Sequence, residues 1–110
     1  MLTFVETTKF THLILSTASD DEYADFQREL AKFPEKGALL SGCGGVRKAR
    51  MAARGKGKSG GARILYLYLP AANLIYLLYL FTKGDADNIS AEGKKAMRQI
   101  AEQIKNEHRR

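Results

Sequence analysis

The sequence has few of the residues on which disulfides, metal sites and histidine-based enzymes depend. Its 110 residues include one cysteine and two histidines. A single cysteine cannot form an intramolecular disulfide, and these three side chains make a four-ligand metal site implausible. Cys43 belongs to no catalytic signature, so we expect a packed side chain rather than a nucleophile. We therefore expect neither a metal ion nor another cofactor.

Acidic residues are absent from one short stretch, ARGKGKSGGAR, at residues 53–63. The stretch has four glycines and four cations, which are Arg54, Lys56, Lys58 and Arg63. Like charges at this density repel one another, so an anion from outside the chain is expected to neutralise them. The net charge of +6 favours the same class of partner, which is a nucleic acid, an anionic membrane or an acidic protein.

Length and composition favour one folded domain over residues 1–110. Apolar residues make up 45% of the chain, which is enough for a modest core. The opening MLTFVETTKF has no basic segment followed by an apolar segment, so we expect no signal peptide. These features predict a cytoplasmic protein.

The longest uncharged run, residues 64–81, raises the possibility of a membrane span. Such a span needs about 20 apolar residues, and Pro70 and Asn73 interrupt the middle of this run. Leucine, isoleucine and tyrosine on both sides of PAAN predict two strands joined by a turn instead. Both faces of each strand are apolar, as expected for central strands that are covered on both sides. We therefore predict a hairpin and no membrane partner.

The remaining elements follow from local patterns. LTFVET and RKARM predict strands, KFTHLILS predicts a short helix, and Ser19 and Glu22 have the spacing of a capping box. The helix that follows this box has an apolar face of Tyr23, Phe26, Leu30 and Phe33, and Pro34 and Gly37 end it. A last helix begins at Ser90, with a stripe of Met97, Ile100, Ala101 and Ile104. The predicted order is β-α-α-β-β-β-α, an α+β fold with a small antiparallel sheet.

The glycine-rich stretch matches two known phosphate-binding motifs only in part. Gly55, Gly57 and Gly60 match G-x-G-x-x-G, but a predicted strand follows where that motif needs a helix. Gly57, Lys58 and Ser59 resemble the end of a P-loop, but Ala52 stands where its first glycine belongs. A disordered basic linker is the plain alternative. Cations continue into the flanking strands at Arg47, Lys48, Arg50 and Arg63, and this favours a coherent positive surface that follows a nucleic-acid backbone.

Residues 26–69, followed by a second apolar strand and TKGDADNIS, resemble the RelE/HigB toxins of bacterial toxin–antitoxin modules. The most specific parts are GGVRKAR, GKGKSGGAR and the strand that begins RILY. The resemblance implies an RNase-like fold with N-terminal helices on a curved antiparallel sheet and a C-terminal helix. It also implies ribosome-dependent cleavage of mRNA and a cognate antitoxin, which we expect to be a helix-turn-helix protein from the neighbouring gene.

The resemblance further implies roles for individual residues. Lys56 and Lys58 correspond best to the paired loop lysines of the family, with Arg54 as the alternative if the match is shifted. Arg63 corresponds to the arginine that holds the scissile phosphate. Arg47, Lys48, Arg50, Arg54 and Lys83 are the expected contacts to RNA and the ribosome. A lysine is a poor base at its usual pKa of about 10.4, but neighbouring cations lower the pKa of a lysine by disfavouring a further positive charge.

The segment after the last strand departs from the RelE pattern. It keeps Lys83, but Gly84 and Ser90 stand near the positions of an arginine and a tyrosine in RelE-type toxins. The HigB branch tolerates this difference, so the chain is assigned to that branch. The identity of the general acid stays open.

Histidines and aromatic residues decide between catalysis and simple binding. His12, in a short helix, is expected to be a partly packed residue rather than a catalyst, and His108 is expected to be a solvated residue of the charged tail. The alternative function is a noncatalytic RNA- or DNA-binding module, which would use aromatic stacking beside its cations. No aromatic residue lies between Arg47 and Arg63, which favours handling of phosphates. Four tyrosines in the hairpin are expected to pack in the core, and one of them could instead stack on a base. These are Tyr66, Tyr68, Tyr76 and Tyr79.

Overall fold

The computed structural model describes residues 1–55, 61–82 and 89–109. Its elements in chain order are β1 (Thr3–Glu6), α1 (Thr8–Thr17), α2 (Asp20–Lys32), β2 (Ala38–Leu39), β3 (Arg47–Met51), β4 (Ala62–Leu69), a 3-10 turn (Pro70–Ala72), β5 (Leu74–Thr82) and α3 (Ala91–Glu107). The predicted α+β class, with N-terminal helices and a C-terminal helix on a curved sheet, is confirmed.

The five strands form one sheet in the order β1-β5-β4-β3-β2. The pairs β3–β4 and β4–β5 are antiparallel, as predicted for the sheet, and so is the pair β2–β3. The first strand differs, because β1 pairs with β5 in parallel. Parallel neighbours need a long connection, and residues 7–73 separate these two strands. The two-residue strand β2 was not predicted because it is too short to show an alternating pattern.

The apolar run of residues 64–81 folds as the predicted hairpin. Pro70 begins the 3-10 turn that joins β4 and β5, and Asn73 ends it in the left-handed conformation with φ of 53°. Asparagine tolerates this conformation better than most residues because its short polar side chain hydrogen-bonds locally. Within the described ranges, no helix has the length and apolar character that crossing a bilayer requires.

Two separate cores cover the two faces of the β4–β5 hairpin. On one face, Ile64 and Tyr66 of β4 pack with residues of α1 and α2, including Phe10 and Leu30. On the other face, Leu65 and Leu67 of β4 pack with α3. Successive side chains of a strand point to opposite faces, so an uninterrupted apolar strand supplies both cores. The prediction of central strands covered on both sides is confirmed.

The helices begin at the predicted caps. The hydroxyl of Ser19 accepts from the Glu22 backbone N–H, and the Glu22 carboxylate accepts from the Ser19 N–H, which completes the capping box of α2. Ser90 caps α3 in the predicted way. The expectation that Phe33 extends the apolar face of α2 is wrong. The helix ends at Lys32, and the extended backbone at Phe33 (φ −131°) turns that side chain off the helical stripe, where it is 63% exposed.

Candidate RNA-contacting site

The cations of β3 and β4 divide between the two faces of the sheet. Ala49 and Met51 of β3 belong to the core under α1 and α2. Because side chains alternate along a strand, Lys48 and Arg50 lie on the opposite face, where α3 packs. Arg63 of β4 shares that face, since it alternates with Ala62 and Ile64. We refer to Lys48, Arg50 and Arg63 as the cationic face.

The strand register brings two arginines directly opposite each other. Arg50 pairs with Arg63, and Arg63 pairs with Phe81 on β5. Directly opposed residues have Cβ atoms about 5 Å apart, and like charges in such pairs are destabilising. The register thus places two arginines side by side on the cationic face.

The surroundings of Lys48 and Arg50 provide no partner for either side chain among the described residues. Lys48 lies one row away, in register with Leu65, which pairs in turn with the half-buried Tyr79. Arg50 is exposed and Lys48 is half-buried. Over the part of the chain that the structure describes, neither side chain makes a hydrogen bond or an ion pair. Both side chains are therefore available to a ligand.

Arg47 points away from the cationic face, and its guanidinium binds other residues of the protein. Its Nη1 donates to the backbone oxygens of Glu35 and Gly37, at 3.0 and 2.7 Å. Its Nη2 lies 3.4 Å from a carboxylate oxygen of Glu35, and only 18% of the side chain is exposed. Arg47 therefore holds the connection between α2 and β2, and the structure does not bring it together with Lys48, Arg50 and Arg63.

The Tyr66 hydroxyl also holds the connection between α2 and β2. Its hydroxyl donates to the backbone oxygen of Pro34 at 2.8 Å and accepts from the Gly37 N–H at 3.0 Å. The ring is fully buried, which confirms the prediction of core packing, and burial raises the pKa of the Tyr66 hydroxyl. Gly37 has to be a glycine, since a Cβ there would stand 2.8 Å from the Tyr66 ring.

The start of the glycine-rich stretch is attached to the N-terminus of α2. The two carboxylate oxygens of Glu22 accept from the backbone N–H groups of Arg54 and Gly55, at 2.9 and 3.0 Å. The Arg54 guanidinium donates to the backbone oxygen of Ser16 at 3.2 Å. Backbone N–H donors from Ser19, Gly55 and Arg54 lower the pKa of the Glu22 carboxyl to about 2. The sequence pattern predicted Glu22 only as a helix cap.

Three predicted site residues, Lys56, Lys58 and Lys83, lie outside the described residues, and so does Gly84. Their assigned roles stay predictions.

The histidines and the lone cysteine lie outside the cationic face. His12 is exposed on α1, on the other side of the sheet. His108 is exposed, and its Nε2 is 2.9 Å from the Tyr76 hydroxyl, a contact that the sequence did not predict. Cys43 is fully buried, so the prediction of a packed side chain is confirmed. Among the described residues, no three acidic, histidine or cysteine side chains are grouped to hold a metal ion.

Comparison with known proteins connects this geometry with a family. The sequence model of a family described as "RelE toxin of RelE / RelB toxin-antitoxin system" matches residues 22–110. The match includes most of α2, the strands β2 to β5 and α3, so the whole cationic face lies within it. Toxins of this family are generally endoribonucleases, and the family implies an antitoxin partner. The chain belongs to the RelE toxin family of RelE/RelB toxin–antitoxin systems.

Proposed function

We propose that this toxin is a ribosome-dependent mRNA endoribonuclease of the HigB branch, which acts in the cytoplasm and stops translation. One observation carries the proposal: the strand register opposes Arg50 to Arg63 and sets Lys48 in the next row of the same face. The three cations therefore lie together on one face, where they can contact the phosphates of an RNA backbone.

The proposed reaction uses a nucleophile that RNA itself contains. The ribose 2′-oxygen attacks the adjacent phosphorus while a base accepts the 2′-hydroxyl proton. The bond from phosphorus to the 5′-oxygen breaks, and that oxygen takes up a proton. The products are a 2′,3′-cyclic phosphate and a free 5′-hydroxyl. The protein must supply a base, an acid and positive charge beside the phosphate on which negative charge develops.

Arg63 is the proposed stabiliser of that charge. A guanidinium is permanently charged and can donate two parallel hydrogen bonds to a phosphate. Arg63 is the second residue of β4 and pairs with Arg50 of β3 and Phe81 of β5, so hydrogen-bonded strands on both sides hold its backbone. A group placed in this way needs little reorganisation during the reaction.

Lys56 and Lys58 are the proposed candidates for the base. The cations around them in the sequence favour loss of a proton from a lysine ammonium group. A change of either lysine to arginine keeps the positive charge and removes the accessible neutral amine. We therefore expect such a variant to bind RNA and to cleave it slowly, which a cleavage assay beside a binding assay measures.

The contacts to RNA and the ribosome are proposed to come mainly from Lys48 and Arg50, with Lys83 as a further contact. Arg47 and Arg54 were expected to share this role. Their guanidinium groups donate to backbone oxygens of the protein itself, so we assign them to support of the surface.

The proposed partner is a helix-turn-helix antitoxin encoded by the neighbouring gene. A domain of net charge +6 that arrests translation needs a neutraliser, and an acidic or amphipathic segment fits that need. Coexpression with the neighbouring gene product should give a stable complex and relieve growth arrest. Failure of both would refute this pairing.

The decisive experiment compares Arg63→Ala with Arg28→Ala. Arg28 is an exposed arginine of α2, paired with Asp25, and α2 packs on the other face of the sheet. Single-turnover cleavage of mRNA on programmed ribosomes and ribosome affinity are measured for both variants. Loss of one transition-state stabiliser typically costs a factor of about 10²–10³ in rate. We expect that loss for Arg63→Ala, a much smaller loss of affinity, and no change for Arg28→Ala.

Two outcomes would contradict the proposal. If Arg63→Ala weakened binding and cleavage equally, Arg63 would only dock the RNA. If the unmodified protein bound ribosomes and left the mRNA intact, the chain would be a noncatalytic binding module.

A further inference from the structure

Glu22 makes more hydrogen bonds than a helix cap requires. In the capping box of α2, Oε1 of Glu22 accepts from the Ser19 N–H at 2.9 Å. That single bond completes the side-chain half of the motif. The same oxygen also accepts from the Arg54 N–H, and Oε2 accepts from the Gly55 N–H. The second oxygen, Oε2, therefore has no function in the cap and binds only the backbone that follows β3.

The backbone that Glu22 holds is in a conformation that needs support. Arg54 has φ of 54° and Gly55 has φ of 75°, so two successive residues are left-handed. An arginine rarely adopts this conformation, because its Cβ approaches the following carbonyl oxygen. The two N–H groups of such a pair turn towards one side, and an anionic oxygen pair can accept from both.

Two further contacts hold the same point. Ala53 is buried in the core under α1 and α2, with 4% of its surface exposed. The Arg54 guanidinium donates to Ser16 near the end of α1. The chain is thus fixed to α1, α2 and the core over three consecutive residues, immediately before Lys56.

We infer that Glu22 is a positioning residue, whose carboxylate fixes the direction in which the glycine-rich stretch leaves the sheet. The inference rests on the proposed function in one respect, which is that Lys56 and Lys58 of this stretch take part in RNA cleavage. Glu22 touches no substrate in this role and acts through the backbone of Arg54 and Gly55. Misplacement of a reacting group by about 1 Å can cost about a hundredfold in rate, so a distant clamp can affect catalysis strongly.

Glu22→Gln separates the clamp from the cap. Glutamine still completes a capping box through its one oxygen. In one orientation of the amide, its NH₂ group faces the N–H of Gly55; in the flipped orientation, it faces the N–H groups of Ser19 and Arg54. Two donors cannot hydrogen-bond to each other, so at least one backbone N–H loses its acceptor. Ser19→Ala is the matched control, since it removes the hydroxyl that caps Glu22 N–H and keeps the Ser19 backbone donor and the whole Glu22 carboxylate.

Three measurements on the full chain test the inference: amide exchange of Arg54 and Gly55 by NMR, thermal stability, and single-turnover cleavage beside RNA binding. We expect Glu22→Gln to speed exchange at Gly55 about tenfold, because a hydrogen bond to a charged acceptor is lost. We expect its cleavage rate to fall about tenfold or more while its affinity for RNA changes little. Ser19→Ala should lower the melting temperature and change neither the exchange at Gly55 nor the cleavage rate.

The outcomes are distinguishable. Unchanged exchange at Gly55 in Glu22→Gln would overturn the clamp. Faster exchange with an unchanged cleavage rate would overturn the positioning role. If Ser19→Ala lowered the cleavage rate as much as Glu22→Gln, the loss would come from the stability of α2, and the positioning role would again be overturned. An unmodified chain that cleaves no RNA would refute the proposed function, and the exchange measurement would still decide the clamp.

Discussion

Replacing Tyr66 with phenylalanine removes one oxygen atom that joins two parts of the fold. The hydroxyl bridges the backbone oxygen of Pro34 and the backbone N–H of Gly37 across a fully buried ring. Phenylalanine fills the same ring volume, so the change creates no large cavity. It leaves a backbone acceptor and a buried backbone donor without their partner.

The cost can be worked out from the buried Gly37 N–H, since the Pro34 oxygen is only partly buried. A buried polar group that loses its partner costs about 1–3 kcal/mol. For a chain of 110 residues, the entropy of unfolding is about 0.23 kcal/mol per degree at the midpoint, so this range corresponds to a fall in Tm of about 4–13 °C. The connection between α2 and β2 should loosen first, because both lost contacts lie in it.

The assay is thermal and urea unfolding followed by circular dichroism, with Tyr68→Phe as the control. Tyr68 lies two residues along the same strand, on the same face, and is half-buried. Its hydroxyl makes no hydrogen bond to the part of the chain that the structure describes. We expect Tyr68→Phe to change stability by less than about 0.5 kcal/mol. Equal melting temperatures for the two variants would refute the reasoning.

Three further expectations concern charge and backbone conformation. Lys48→Ala should reduce the salt dependence of RNA binding, with the slope of log K against log salt falling by about 0.7 in magnitude; an unchanged slope would exclude a phosphate contact. The pKa of the Glu22 carboxyl is about 2 in the folded protein, against an ordinary value of 4.5. As the pH falls, the unfolded chain therefore binds a proton at Glu22 before the folded protein does, and the free energy of unfolding decreases between pH 4.5 and pH 2. Glu22→Gln should lack this component of the loss, and parallel acid-unfolding curves for the two proteins would contradict it. Asn73→Ala should lower stability by about 1 kcal/mol and Asn73→Gly by less, because φ is 53° at this residue; the reverse order in urea unfolding would be inconsistent with a left-handed turn.

Much of the fold could be predicted because local patterns determine it. The capping box at Ser19 and Glu22 needs only four consecutive residues. The hairpin needs two apolar runs and a turn with Pro70 and Asn73 between them. The stripe that includes Ala101 and Ile104 repeats with the period of a helix. Each of these features is set by residues that are close in the sequence.

The site was less predictable because it depends on long-range geometry. The sequence placed Arg47, Lys48 and Arg50 on one basic edge, but strand alternation sends Arg47 to the other face. The opposition of Arg50 and Arg63 depends on register, which the intervening residues do not reveal. The bonds from Glu22 to Arg54 and Gly55 cross more than 30 residues, and no spacing rule connects such positions.

The short strand β2 has a consequence for self-association. It pairs only with Arg47 and Lys48, so no described strand covers the outer edge of β3 from Ala49 to Met51. Open strand edges invite pairing with another copy of the chain, and a charged side chain on such an edge discourages it. Arg50 is exposed at this position, where a second copy would bring its own Arg50 close by. We therefore expect Arg50→Val to weaken RNA binding and to open a route to aggregation, whereas Arg50→Gln removes the charge and keeps the edge polar.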